Sequence, residues 1–372
     1  MDGLDWLAWF IFIMLFAYIS RELEIYRIIK EIESYISLYR YIRDKAVSTV
    51  ISSFKETAAK VGAKIDTRQL EQRVSNLIES VLITPEERDP FGIIAKLKHV
   101  VLIQNETLTL EVKRLLPKAE TIDIENLKNL LVAAHELNYI YKAVEHIYKQ
   151  GRRFKSLWLL IQLQAQLPFL SEYVKALESS LESFSKGFPI GDSAGSMVAA
   201  LFINRHLPSG SESIRPEELA ENTIAVEVPF NGRRVLVIKA KGPSGVTGRL
   251  DDALERLIVR RGERPKVVVT VDAAIKFEGE KSGMIVDGVG VAIGGLGIEK
   301  FNIEEITTKY GITLYAVLIK MSIPEAFSVM SKEVADSMEK ALNRVEEIIL
   351  ERTKEGDTVV LIGVGNTVGV VP

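Results

Sequence analysis

From Leu4 to Ile19 the chain reads LDWLAWFIFIMLFAYI, with Asp5 near its start and the first cation, Arg21, just past its end. The run is slightly shorter than the roughly 17–25 apolar residues of a membrane-crossing helix. Its flanks and faces decide the reading. Trp, Phe and Met occur on every helical face, whereas a soluble surface helix keeps one side polar. A cleaved secretory signal carries cations before its apolar run and small residues after it, but here Asp2 and Asp5 precede and SRELEIYR follows. Arg21, Arg27 and Lys30 come after the run and no Lys or Arg before it, so the positive-inside tendency puts the N-terminus outside and the remainder in the cytoplasm. The expectation is a single-pass protein of the cell membrane, anchored by residues 1–20 and touching the lipid bilayer through residues 4–19, with Trp6, Trp9 and Tyr18 toward the headgroups.

The chain of 372 residues has room for two or three folded units. Residues 21–187 read as a helical domain. Leu23, Ile25, Ile28, Ile29, Ile32, Ile36, Ile42, Val47 and Ile51 trace one stripe of a long helix leaving the membrane, and further helices are expected over Arg68 to Leu82, Ile93 to Leu116, Ile124 to Tyr148 and Leu157 to Ser185. Breaks are expected at Thr84-Pro85, Asp89-Pro90-Phe91-Gly92, Pro117 and Gly151. The apolar stretch Leu157 to Leu170 carries Gln162, Gln164, Gln166 and Pro168, so it reads as a kinked core helix and not a second span. The long stripe suits packing within its own bundle or against a second copy, a homo-oligomer.

Residues 188–372 read as a glycine-rich α/β domain with a mixed sheet. Val/Ile-rich runs at Thr223 to Val228, Val235 to Ala240, Lys266 to Val271, Val289 to Ile293, Leu314 to Lys320 and Thr358 to Val364 alternate with helices expected over Asp251 to Val259, Ile298 to Lys309 and Pro324 to Thr353. The whole chain is therefore α+β or α/β in class: one transmembrane helix, a helical middle and a C-terminal α/β domain.

Composition removes several functions. Lys plus Arg total 47 against 50 Asp plus Glu, a balance unlike the basic footprint of a nucleic-acid binder. With no cysteine there is no disulfide, thiolate zinc site or cysteine nucleophile. His135 and His146 lie eleven positions apart on one helical stretch, roughly 16 Å, too far to share a metal ion.

Four constellations remain. Val235 to Ala240 leads into KGPSGVTGR and then a helix. There Gly242, Gly245 and Gly248 permit a turn with converging N–H groups, and Lys239, Lys241 and Arg249 supply positive charge for a phosphate or carboxylate. Neither the P-loop pattern nor GxGxxG is met, and a plain strand-to-helix connection accounts for the same glycines. Asp272 closes the strand KVVVTVD, Glu278 and Glu280 follow, and Asp287 precedes GVGVAIG; carboxylates at strand ends beside a phosphate loop suit Mg²⁺, while solvated loop charge is the plainer account. Seven glycines from Gly279 to Gly297 fit a close backbone approach to a ligand, a strand or a subunit. Last, PIGDSAGSMVAALF and IGGLGIEK look locally like the Ser-Lys dyad loops of the Lon protease domain, which would make Ser193 a nucleophile and Lys300 its base. The interval between the two exceeds that pattern and no Walker lysine is present.

Read in order, GPSGVTGRLDDALE, VDAAIKFEGEKSG, DGVGVAIGGLGIEKFNIEEI and GVGNTVGV resemble an archaeal family known as domain of unknown function 1512, with the likeness running over essentially the whole chain. The resemblance implies an archaeal, cytoplasm-facing membrane protein and supplies no activity. The residues themselves favour a membrane-anchored domain binding a phosphate-bearing small molecule or nucleotide, with Mg²⁺. A Ser/Lys hydrolase and a membrane-tethered assembly protein are the alternatives.

Overall fold

Ile28, Ile32, Ile36, Tyr39, Ile42, Ala46, Val50, Phe54 and Ala58 recur every three or four residues, which places all of them on one face of a helix. In the computed structural model, which describes residues 3–64, 66–81, 92–207 and 216–371, they are the buried apolar residues of α1 (Gly3–Lys60), one unbroken helix of 58 residues. Trp6 to Glu24 are exposed throughout, so the apolar first third of α1 rests on no other described part of the protein. It is long and apolar enough to cross a membrane.

The buried face of α1 is covered by α2 (Thr67–Ile78), α4 (Thr121–Arg153) and α5 (Leu157–Lys186), and α3 (Ile93–Leu115) packs on α4; all share one core with α1. Cross-contacts fix the directions. Lys60 meets Asp123 at 3.0 Å and Tyr148 donates to Glu33 at 2.6 Å, so α4 runs antiparallel to α1; Gln164 donates to Glu31 and Lys45 to Glu178, both at 2.6 Å, so α5 runs parallel to it. Gly151, expected to break a helix, instead lies inside α4. A Cβ there would come within 2.6 Å of Leu160 Cδ2, so the glycine serves the close approach of α5. Likewise α5 continues through Pro168. Leu82 and the breaks expected at Thr84-Pro85 and Asp89-Pro90-Phe91 lie outside the described residues.

The remainder forms one mixed sheet flanked by helices. Its strands are β1 (Glu217–Ala220), β2 (Thr223–Phe230), β3 (Arg233–Ala240), β4 (Val267–Ile275), β5 (Ile285–Val289), β6 (Thr313–Met321) and β7 (Thr358–Gly363), in the order β1-β2-β3-β7-β4-β6-β5. The four central strands are parallel and β1, β2 and β5 join antiparallel at the edges. One face carries α6 (Ala194–His206) and α10 (Lys332–Arg352); the other carries α7 (Leu250–Glu255), which runs on as a π turn over Arg256–Arg260, and α8 (Ile298–Tyr310).

Three expectations shift. The strand expected at Val289 to Ile293 lies earlier, at β5, because Gly290 takes φ +123° and ends the pairing with β6. The helix expected over Pro324 to Thr353 is two: α9 (Ile323–Phe327), opened by a capping box between Ser322 and Glu325 and ended at Ser328, and α10, started afresh by the Ser331 hydroxyl, which accepts from the Val334 N–H. Neither α6 nor β1 was expected.

The helical bundle sits on the ends of β3 and β7. Tyr173 of α5 meets Phe327 of α9 edge to face at 6.0 Å, and Ile190 and Val368, from the segments before α6 and after β7, are buried in the core of the bundle.

Candidate functional site

In an open parallel sheet, ligands favour the crevice beyond the carboxyl ends of the strands. Here β3 leads to α7 on one face, while β7 is reached from α10 on the other. Beyond those two strands lies a cavity of about 600 Å³, roofed by α3 and α4 and floored by the loop Gly245–Arg249, Asp251, Glu299 and Asn366. Its volume is ordinary for a small-molecule site. Leu102, Leu108, Leu131, Val132, Val246 and Ile298 make much of its wall apolar.

The glycine loop expected to cradle a phosphate does border this cavity, but four of its amides are already engaged. Lys241 N–H donates to Asn222 O, Gly245 N–H to Asn126 Oδ1, Val246 N–H to Ser244 O and Arg249 N–H to the Thr223 hydroxyl. Each glycine has its own structural reason. A Cβ on Gly242 would fall 1.7 Å from Val370 O, Gly248 holds φ +75°, and Gly245 is clasped by α4, its N–H on Asn126 and its carbonyl receiving Asn129 Nδ2 at 2.5 Å. Gly245→Val should therefore weaken the protein by about 1–3 kcal/mol through overpacking against Asn126 and Asn129, read as a lower urea midpoint; an unchanged midpoint would show that the clasp carries no stability.

Of the expected cations, Lys241 pairs outside the cavity with Glu218 at 3.1 Å, while Arg249 lines it and is held by Asp252 at 2.5 Å. Lys239 is fully buried, donates to Ala240 O, and by strand alternation shares the α6 face with Val237. The two proposed metal carboxylates part company: Asp272 pairs across β6 with Leu318 and Asp287 with Val317, adjacent residues that point to opposite faces. Asp287 faces α10, where Arg344 grips it at 2.9 Å. Among the described residues no three His, Asp or Glu side chains are placed to hold a metal ion. Ser193 is fully buried at the start of α6 with no hydrogen-bond partner for its hydroxyl among the described residues, whereas Lys300 is half exposed on α8, across the sheet, 3.9 Å from Glu304. Glu278 is exposed and Glu280 meets Lys320 at 3.5 Å.

Two family models match in succession: protein of unknown function (DUF1512) N-terminal domain over residues 6–187 and domain of unknown function (DUF1512) C-terminal over residues 190–371. The chain belongs to the DUF1512 family. No curated protein matches it.

The charges of this DUF1512 cavity are unevenly matched. Lys98 is bound by Asp251 at 2.5 Å and Asp252 at 2.7 Å, and Lys128 by Glu125 at 2.8 Å, so with Arg249 on Asp252 every lysine and arginine of the wall already has a carboxylate. Five carboxylates line the cavity in all: Glu125, Glu136, Glu221, Asp251 and Glu299. Glu299, in the first turn of α8, has no ion pair or hydrogen bond among the described residues; burial, with Asp251 adding repulsion, pushes its carboxyl up to about 7. Deeper along the strand ends, burial and the neighbouring Asp192 raise the Asp272 carboxyl well above the usual range, although the Ala273 and Gly294 N–H groups donate to it. Sequence inspection singled out neither Glu299 nor Asn126 and Asn129. The i, i+3 spacing of the two asparagines, which puts them on one face of α4, was the available signal.

Proposed function

We propose that this protein is a membrane-tethered small-molecule-binding protein whose cavity takes an apolar ligand bearing a positively charged amine. Glu299 carries the reading: it is a part-buried carboxylate on the wall of a largely apolar cavity, pushed up by desolvation and by Asp251, with no ion pair of its own among the described residues, since Lys98, whose charge acts on it, is bound by Asp251 and Asp252. An ammonium group beside it would restore the charged form and gain a charge-assisted hydrogen bond. A phosphate in the same place would meet five carboxylates, and the cations there are already paired. The long α1 adds a spatial argument. Asp123, at the start of α4, lies beside Lys60, so Asn129 and His135 stand roughly 40–50 Å along α1 from its apolar segment at about 1.5 Å per residue. The ligand is thus drawn from water and not from the bilayer.

Calorimetric titration with n-alkylamines of graded length, n-alkyl carboxylates, and ATP with and without Mg²⁺ tests this. Amines should bind, more tightly above pH 7 than below, and with affinity rising along the alkyl series. Binding of ATP alone would restore the phosphate reading; binding of none of the series would remove the cavity as a ligand site.

A further inference from the structure

The hairpin joining α4 to α5 has a composition unlike the rest of the bundle. From Lys149 to Ile161 it reads KQGRRFKSLWLLI, with four cations and no acid. Phe154 and Trp158 are 67% and 68% exposed, and Arg152, Arg153 and Lys155 are exposed beside them. Lys149 is tied back to Glu145 at 3.0 Å and Arg152 reaches Glu33 only at 3.9 Å, so much of this charge faces outward. Large exposed aromatics among cations are what the headgroup layer of a membrane attracts.

Position along α1 supplies the second, independent argument. Tyr148 is level with Glu33, and α4 runs toward the apolar end, so Phe154, six residues on, is level with about residue 27. Gln164 is level with Glu31, and α5 runs the other way, so Trp158 is level with about residue 25. A hydrocarbon layer about 30 Å thick takes up ~20 helical residues. Counted from Leu4, α1 leaves it between Ile19 and Leu23. The tip therefore stands roughly 3–12 Å beyond the hydrocarbon edge, where headgroups lie.

We infer that the α4–α5 tip is a second membrane contact, with Phe154 and Trp158 seated in the headgroup layer and Arg152, Arg153 and Lys155 on anionic lipid phosphates. The inference rests on α1 being a membrane anchor. It adds a footing that fixes the rotation of the bundle about α1, since only one side of the helix carries the hairpin. Glu22 and Glu24 on α1 lie at the same level, and the tip's surplus of cations outweighs them.

Trp6, Trp9 and Trp158 are the three tryptophans of the chain, which allows both readings to be separated in the full-length protein. The variant Trp6→Phe with Trp9→Phe leaves Trp158 as sole reporter, and Trp6→Phe with Trp158→Phe leaves Trp9. Both are reconstituted in vesicles of brominated phosphatidylcholine mixed with phosphatidylglycerol, with bromines near the headgroup or near the chain ends. Trp158 emission should be lost to shallow bromines more than to deep ones, and the loss should shrink when Arg152, Arg153 and Lys155 are changed to Gln or phosphatidylglycerol is omitted. If Trp9 is quenched and Trp158 is not, the tip contact is overturned and the anchor stands. If neither is quenched, the anchor reading falls and the tip contact with it. Quenching of Trp158 that ignores both charge removals would overturn the anionic-lipid assignment.

Discussion

Gly195→Val should cost at least about 4 kcal/mol and leave little folded protein, because domains of this size have only about 5–15 kcal/mol to lose. The reason is the way α6 meets the sheet. A Cβ at Gly195 would stand 2.1 Å from Val271 O and 2.5 Å from Val364 O, and opposite it a Cβ at Gly363 would stand 2.5 Å from Ala199 Cβ and 2.7 Å from Gly195 O. These neighbours are mostly backbone, which cannot swing aside as the end of a long side chain can. Gly294→Ala is the matched control. Nothing described lies within 4 Å of its Cβ position, so its effect should stay within about 0.5 kcal/mol. Urea denaturation in detergent measures both, and a Gly195→Val protein as stable as its parent would mean that α6 does not pack this closely.

The second large effect is a gain. Glu299→Gln should stabilise the ligand-free protein at pH 8 by up to about 3 kcal/mol, from 1.36 kcal/mol for each unit between the ordinary carboxyl value and the native one. The native carboxyl titrates near about 7 against an ordinary 4.5. Between those values the folded state holds a proton that the unfolded state has released, so parental stability falls as pH rises through this window and levels off above it. Gln has no proton to lose. The two proteins should therefore be equally stable near pH 4 and diverge toward pH 8. The same variant should bind alkylamines roughly ten- to a hundred-fold more weakly at pH 8, the worth of a hydrogen bond to a charged group. Equal stability at both pH values would show that Glu299 is not held out of water. A gain in stability joined to a loss of binding is the pattern of a residue kept for function.

Much of the bundle was legible because its helices are periodic and long. The buried set of α1 recurs at helical spacing, and α3, α4 and α5 begin or end within a few residues of their signals. α6 was missed for an opposite reason. Its sequence AGSMVAALFINRH mixes small and apolar residues on all sides, because it is buried against the sheet over most of its surface. The glycines were legible as features but not as causes. Of the seven from Gly279 to Gly297, five take positive φ and six have open space where a Cβ would stand, so turns account for most of them. Backbones crowd most closely at Gly191, Gly195, Gly242 and Gly365, spread along the domain, and of these the sequence motifs had singled out Gly242 alone, as part of a phosphate loop. At the site, the loop Gly245–Arg249 stood out in sequence as a phosphate cradle and lies in the structure as a cavity wall, while Asn126, Asn129 and Lys98 reach the site from more than a hundred residues away and Glu299 looks in sequence like any acid opening a helix.

The segment after β7 ties the halves together. Thr367 N–H and hydroxyl reach the Val246 carbonyl, Gly369 N–H reaches Pro243 O, and Val368 is buried among the helices of the bundle. This has a bearing on biogenesis. The bundle is translated long before Val368, which completes its core, and until then it has a gap where Val368 will lodge. A nascent chain halted before residue 368 leaves that gap open and its apolar walls accessible to chaperones and proteases. Closure of the bundle thus waits on a residue more than 180 positions beyond its last helix.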